Sequence, residues 1–115
     1  TADLMVASGS ANSQGGSVTV IDGAGDTVLA TVATGASTRD ICYNPVSSKV
    51  YAAVNGASKL VVINGATNAI DTSITVSQAY AVGYNPTSNK AYCTMQYSRL
   101  VTIVDGATNA KLADA

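Results

Sequence analysis

Two short strings that recur on one period constrain this chain more than any other feature. Val20-Ile21-Asp22-Gly23-Ala24 returns as Val62-Ile63-Asn64-Gly65-Ala66 and again as Ile103-Val104-Asp105-Gly106-Ala107, a step of 42 residues from 22 to 64 and of 41 from 64 to 105. A second marker, Tyr43-Asn44-Pro45 with Ser47 and Lys49, returns 41 residues on (43 to 84) as Tyr84-Asn85-Pro86 with Ser88 and Lys90. Independent markers that share a period indicate a repeat architecture, in which each copy is one supersecondary unit and neighbouring copies cover each other's apolar faces.

Inside one period the pattern is four short β-type runs, A to D, separated by turn residues, with no segment of helical periodicity. Run A covers Asp40 to Asn44 and Ala79 to Asn85, and Asn-Pro ends the first and second copies because Pro cannot donate to a ladder. Run B covers Lys49 to Asn55 and Lys90 to Gln96, with a degenerate copy from Leu4 to Ser8. Run C covers Val18 to Asp22, Leu60 to Asn64 and Val101 to Asp105, each followed by Gly, a strong hairpin signal. Run D covers Thr27 to Val32, Ala69 to Val76 and Lys111 to Ala115. The order B-C-D, A-B-C-D, A-B-C-D predicts eleven strands.

Four antiparallel strands per period of about 40 to 50 residues mark a β-propeller blade. The expected fold is therefore all-β: a single propeller segment over 1–115 of about two and three-quarter four-stranded antiparallel blades, with a partial blade at 1–32, a blade at 33–76 and a blade at 77–115. Run C supports this, because Leu60, Val61, Val62 and Ile63 are apolar at inward and outward positions alike. A half-solvated sheet alternates instead.

Composition narrows the function classes. Apolar residues make up 47% and charged residues 11%, all seven acids are Asp, and the net charge is −1. That palette is poor helix material and suits strands and turns. The balance lacks the basic footprint of nucleic-acid binding, and no apolar run approaches the roughly 20 residues of a membrane helix, so neither a nucleic-acid partner nor membrane insertion is expected. The chain begins at Thr1 without a signal-like segment, which suggests a removed leader or a start inside a longer protein.

Lys49-Val50-Tyr51-Ala52-Ala53-Val54-Asn55, followed by Leu60-Val61-Val62-Ile63-Asn64, resembles the YVTN-type β-propeller repeat. Asn44-Pro45 and Asn85-Pro86 fit its turn, Tyr51 and Tyr92 lead its strands, and Ile63 with Asn64 closes the next strand. The first copy carries Met5 where the Tyr belongs, and Gln96 replaces the strand-ending Asn of the third. The likeness runs over essentially the whole chain. It implies an extracytoplasmic scaffold, extracellular, at the cell surface or periplasmic, as in surface-layer and secreted propellers, and it implies no single activity.

Chemistry-bearing residues are sparse. With no His and two Cys, neither a Ser-His-Asp or Cys-His arrangement nor a structural zinc site can be assembled from this chain alone, and no cofactor, metal or catalytic residue is assigned. Cys42 and Cys93 align with Gly83 and Ala52 of the sister copies, small residues that suit buried, tightly packed thiols; a disulfide is the alternative. Asp22, Asn64 and Asp105 recur in register, as turn formers do. The repeated Tyr43, Tyr51, Tyr84 and Tyr92 are expected to pack between blades.

Polar residues that do not repeat are the better site candidates. Arg39 and Asp40 stand at the start of an A run, the strand that lines a propeller's central channel, with Gln78 and Tyr80 as their approximate counterparts one blade on. With the B-to-C loops, which hold Ser10 to Gln14, Asn55, Lys59, Gln96, Tyr97 and Arg99, they should rim one face. A simple Arg39–Asp40 contact in a solvated loop is the plainer reading of that pair.

These residues point to a scaffold that mediates protein or glycan contacts or self-assembly at the cell surface. The alternative is part of a propeller enzyme, of lactonase-like or redox-cofactor type, whose catalytic residues lie outside this segment. Rings usually need about four to eight blades, so eleven strands should not close alone. The expected partners are further blades of the same longer chain, or partner subunits that add a strand.

Overall fold

Short runs of Val, Ile, Thr and Tyr bounded by Asn, Asp, Gly and Pro form strands because branched and aromatic side chains pack on a pleated surface while the flanking residues favour turns. In the computed structural model, which describes residues 16–115 and the backbone of 4–8, these runs become eleven strands. They are β1 (Leu4–Ser8), β2 (Ser17–Asp22), β3 (Thr27–Ala33), β4 (Thr38–Asn44), β5 (Lys49–Val54), β6 (Lys59–Asn64), β7 (Ala69–Thr75), β8 (Ala79–Asn85), β9 (Lys90–Met95), β10 (Val101–Asp105) and β11 (Lys111–Asp114). The predicted runs are recovered to within two residues at each end; Asn55 leaves run B to open a single 3-10 turn, Asn55–Ala57.

The strands form three antiparallel meanders, β1-β2-β3, β4-β5-β6-β7 and β8-β9-β10-β11. We call them blades 1, 2 and 3. The pairing also fixes the repeat alignment: Leu4, Lys49 and Lys90 sit opposite Asp22, Asn64 and Asp105. Val6, paired with Val20, therefore occupies the position of Tyr51 and Tyr92, and not Met5 as the sequence likeness suggested.

The hairpins fall where Asp-Gly and Asn-Gly occur, but they are not two-residue turns. Each loop opens on an Asx side chain that accepts backbone N–H groups: Asp22 Oδ1 from Ala24 (3.0 Å), Asn64 Oδ1 from Ala66 (2.8 Å) and Asp105 Oδ1 from Ala107 (2.7 Å). Four residues later the chain passes through the left-handed region at Asp26, Asn68 and Asn109, whose N–H groups bond back to the carbonyls of Asp22, Asn64 and Asp105. The A-to-B loops repeat this, with Asn44 and Asn85 accepting at the start and Ser48 and Asn89 left-handed at the end. The turn-forming role expected of Asp22, Asn64 and Asp105 is thus observed.

Blade 2 is sandwiched. One apolar layer, Val18, Val20, Val32, Val50, Ala52, Val54, Val61 and Ile63, fills the space to blade 1; a second, with Tyr51, Ala53, Leu60, Val62, Val76, Ala79, Val82, Ala91, Cys93 and Val104, fills the space to blade 3. Leu60 to Ile63 are buried without a break, each worth about 1.5–3 kcal/mol of transfer free energy, whereas β10 alternates between buried and partly buried positions. The packing expected of the Tyr set holds for Tyr51, which is fully buried, but not for Tyr43, which is half exposed. Its counterpart Tyr84 packs against the layer between blades 2 and 3; Tyr43, opposite Val50 of the layer toward blade 1, lies on the side of the sheet in which three strands are described.

Polar contacts lock the blades at the end where the Asx turns lie, the base end. Buried Asn44 donates from Nδ2 to the Tyr51 hydroxyl (2.9 Å) and to Asn89 Oδ1 in blade 3 (3.1 Å), and the Tyr84 hydroxyl donates to the same oxygen (2.7 Å). Lys49 Nζ reaches into the blade 3 turn and donates to the carbonyls of Gly106 (2.9 Å) and Ala107 (3.3 Å) and to Asn109 Oδ1 (2.8 Å). Among the described residues no helix is long and apolar enough to cross a membrane.

Candidate binding rim

The opposite end of the blades, where A strands begin and B strands finish, carries the residues singled out from the sequence. Both complete blades have a β-bulge at this point. In blade 2, Thr38 pairs with Val54 and Asp40 with Ala53, leaving Arg39 as the extra residue; in blade 3 the register shifts between Ala79 and Val82, around Tyr80. A bulge bends its strand and re-aims a side chain, and here it turns two equivalent positions toward the rim. Arg39 and Tyr80 are 41 residues apart, the repeat length, and both are exposed.

They also meet. The Arg39 guanidinium carbon lies 5.6 Å from the centroid of the Tyr80 ring, within cation–π range. The Arg39–Asp40 contact expected from the sequence is absent; the Asp40 carboxylate turns the other way. Its Oδ2 accepts the N–H of Val82 in the next blade (3.0 Å) and its Oδ1 the N–H of Ile41 (2.9 Å). Asp40 is therefore a strut between blades, accepting a part-buried backbone donor of the next blade.

The loop candidates form a second row. Asn55 and Gln96, again 41 residues apart, are joined directly: Asn55 Nδ2 donates to Gln96 Oε1 (3.2 Å) and to the Ala79 carbonyl (3.1 Å). Gln78 is left-handed (φ 48°) and its backbone is held on both sides, its N–H by Ser58 Oγ (3.1 Å) and its carbonyl by the Gln96 N–H (2.8 Å). Tyr97, also left-handed, is 90% exposed. Arg99 is exposed and Lys59 half-buried at the start of β6. Ser10 to Gln14 lie outside the described residues.

Two contributors had escaped the sequence reading. Ser58 anchors Gln78 as above, and Thr94 Oγ1 accepts the Ala81 N–H (3.1 Å), replacing a ladder bond that the blade 3 bulge removes. Neither repeats, and no local signal marks a Ser or Thr as a bulge partner.

Beneath the rim the two thiols are free and face the layer between blades 2 and 3, Cys93 fully buried and Cys42 partly. Burial pushes the Cys42 thiol up to about 12, with the Asp40 charge and Cys93 adding to it. Burial likewise raises Cys93 to about 11, opposed by a backbone hydrogen bond from Tyr80. Such thiols are packing groups and poor nucleophiles at neutral pH.

No protein-family model and no curated protein sequence matches the chain. Solved structures do match. The chain is similar to hydrazine synthase of Kuenenia stuttgartiensis (TM-score 0.79, 17% identity, covering 85% of this chain and 29% of that one). It is also similar to AztD of Citrobacter koseri, in its apo structure (TM-score 0.71, 17% identity, 85% and 28% covered) and in a second structure (TM-score 0.72, 15% identity, 92% and 30% covered). The chain spans less than a third of the length of each. At these identities the likeness speaks to fold alone, and these neighbours are β-propeller proteins: three successive meanders packed face to face here are a segment of a β-propeller.

Proposed function

We propose that this chain is part of an extracytoplasmic propeller scaffold of the YVTN type, and that the rim around Arg39 and Tyr80 is its contact surface for a protein or glycan ligand. The observation that carries the reading is the pair of bulges. A feature the fold repeats, a bulge at the start of each A strand, bears unlike side chains in successive blades, one cationic and one aromatic, both exposed and in contact. Repetition is what packing demands, and variation on a repeated exposed position is what recognition demands. The extracellular, surface or periplasmic location and the role in surface assembly come from the repeat likeness. Further blades, from the same longer polypeptide or from partner subunits by strand addition, complete the ring in this reading.

A second reading, a propeller enzyme whose catalytic residues lie outside this segment, draws on the fact that the chain spans under a third of hydrazine synthase, one of the proteins of similar fold. Its own residues offer no general base of the His type.

The test is a binding screen of the intact chain against immobilised glycans and peptides, repeated with Arg39→Ala and Tyr80→Ala. Binding that is lost in both variants, with the far-ultraviolet spectrum unchanged, supports the rim. Binding indifferent to both substitutions overturns it.

A further inference from the structure

The rim is cationic in an acidic chain. Of the six basic residues, Arg39, Lys59 and Arg99 stand at the rim end of blades 2 and 3. The acids at that end among the described residues are Asp40, both of whose oxygens accept backbone N–H groups, and Asp114, which accepts from the Thr102 hydroxyl (2.7 Å) and is ion-paired with Lys111 (2.9 Å). The remaining described acids, Asp22, Asp26, Asp71 and Asp105, sit toward the base end. Among the described residues Arg39, Lys59 and Arg99 thus have no carboxylate within 4 Å.

An unpaired cation on a protein surface is ordinary; three on one end, where the two described side-chain carboxylates are already bonded to other partners, leave an excess of positive charge that attracts anions. Arg39 is the member built for recognition. Its planar fork matches a carboxylate through two parallel hydrogen bonds, and the Tyr80 ring beneath holds the guanidinium, so less side-chain freedom is lost on binding. The same end of the blades also carries the amides of Asn55, Gln78 and Gln96 and the amphipathic rings of Tyr80 and Tyr97, 44% and 90% exposed. Flat rings with polar edges beside amides suit the apolar face and hydroxyl groups of a pyranose better than the aliphatic anchors of a peptide, which need a recess.

We infer that the rim binds an acidic glycan, a polysaccharide of the uronic-acid type, with Arg39 as the carboxylate contact and Tyr80 as its platform. The inference rests on the rim being a contact surface, as proposed above, and adds the ligand class.

Isothermal titration of the intact chain with oligogalacturonate, a neutral galactose oligomer of the same length and polyglutamate tests it. Oligogalacturonate is expected to bind, and to weaken as salt screens the exposed charges. Arg39→Gln is expected to reduce affinity about tenfold, with partial recovery in Arg39→Lys, which keeps the charge but not the fork. A far-ultraviolet spectrum identical to that of the parent chain shows that the variants are folded. Equal binding of the neutral oligomer, binding of polyglutamate as tight as that of oligogalacturonate, or indifference to Arg39→Gln each overturns the inference. If such binding still depends on Arg39 and Tyr80, the rim survives as a contact surface and only the ligand class is wrong; if no rim-dependent binding is seen, both fall.

Discussion

Lys49 Nζ donates to the carbonyl of Gly106 at 2.9 Å, tying the start of a strand in blade 2 to a turn of blade 3 that lies 57 residues further along the chain. The same ammonium holds two further acceptors of that turn. Lys90 is the equivalent residue of blade 3, lying opposite Asp105 as Lys49 lies opposite Asn64, and it has no following blade in this structure to reach.

The two lysines should therefore differ in energetic weight although the sequence presents them alike. Lys49→Met is expected to destabilise the protein by about 1–3 kcal/mol, the usual weight of hydrogen bonds from a charged donor. Lys90→Met should stay within about 0.5 kcal/mol, as substitutions that break no hydrogen bond to a neighbouring blade do. Urea unfolding of the two variants checks this.

Asp40 and Arg39 are expected to separate in the same way. Asp40→Ala strips the acceptor from the Val82 N–H at the interface between blades and should cost about 1–3 kcal/mol. Arg39→Ala should leave the thermal midpoint nearly unchanged, because the residue is exposed and its partner is a ring face. Equal midpoints for both variants would return Asp40 to the list of ligand contacts.

The thiols give a pH signature. Each has a folded-state value raised from the ordinary 9.0, to about 12 for Cys42 and about 11 for Cys93. Above pH 9 the unfolded chain releases these protons while the folded one retains them, so the folded state binds more protons and stability falls as pH rises from 9 toward 11–12. Below pH 9 the contribution is fully present and flat. Thermal melts from pH 7 to 11 should show this fall, and in the Cys42→Ala, Cys93→Ala double variant the fall should shrink. Thiol labelling at pH 8 should run at least about 100-fold slower in the native than in the denatured protein.

Val62→Asp should abolish folding. Val62 is fully buried in the layer between blades 2 and 3, and an unpaired carboxylate there faces a desolvation cost of several kcal/mol against a typical domain stability of 5–15. Val28→Asp, on a residue 61% exposed, should fold normally by the same far-ultraviolet assay.

The number and order of strands were readable because repetition averages out local ambiguity: a weak copy such as Leu4–Ser8 is identified by the strong copies at Lys49 and Lys90. Register was less legible, since Leu-Met-Val fits the Tyr-led pattern at either of two offsets and only pairing with Asp22 selects Val6. The turns misled for a physical reason. Asp-Gly marks the start of these loops, but the strained residue is the Asx four places on, a spacing visible only once the hydrogen bond from Asp26, Asn68 or Asn109 is seen. At the rim, equivalent positions such as Arg39 and Tyr80 could be aligned from the repeat, whereas their contact depends on bulges, which leave no mark in a period-2 pattern. The bond from Asp40 to the next blade was not legible, because adjacency in sequence to Arg39 says nothing about which face of a bulged strand each side chain takes.

The left-handed Asx turns have a consequence for how such a chain can change over time. At the base end each loop must carry an accepting side chain, a left-handed residue four places later and, where blades meet, carbonyls in reach of a neighbour's lysine, so a single inserted residue breaks several bonds at once. Loops there run to four or five residues between strands, and the described loops at the rim end, 34–37, 55–58, 76–78 and 96–100, run from three to five without sharing that hydrogen-bond pattern. A change of loop length should therefore cost more at the base end, and drift in loop length should gather on the surface that presents Arg39 and Tyr80. One end keeps the blades in step and leaves the other free to diversify.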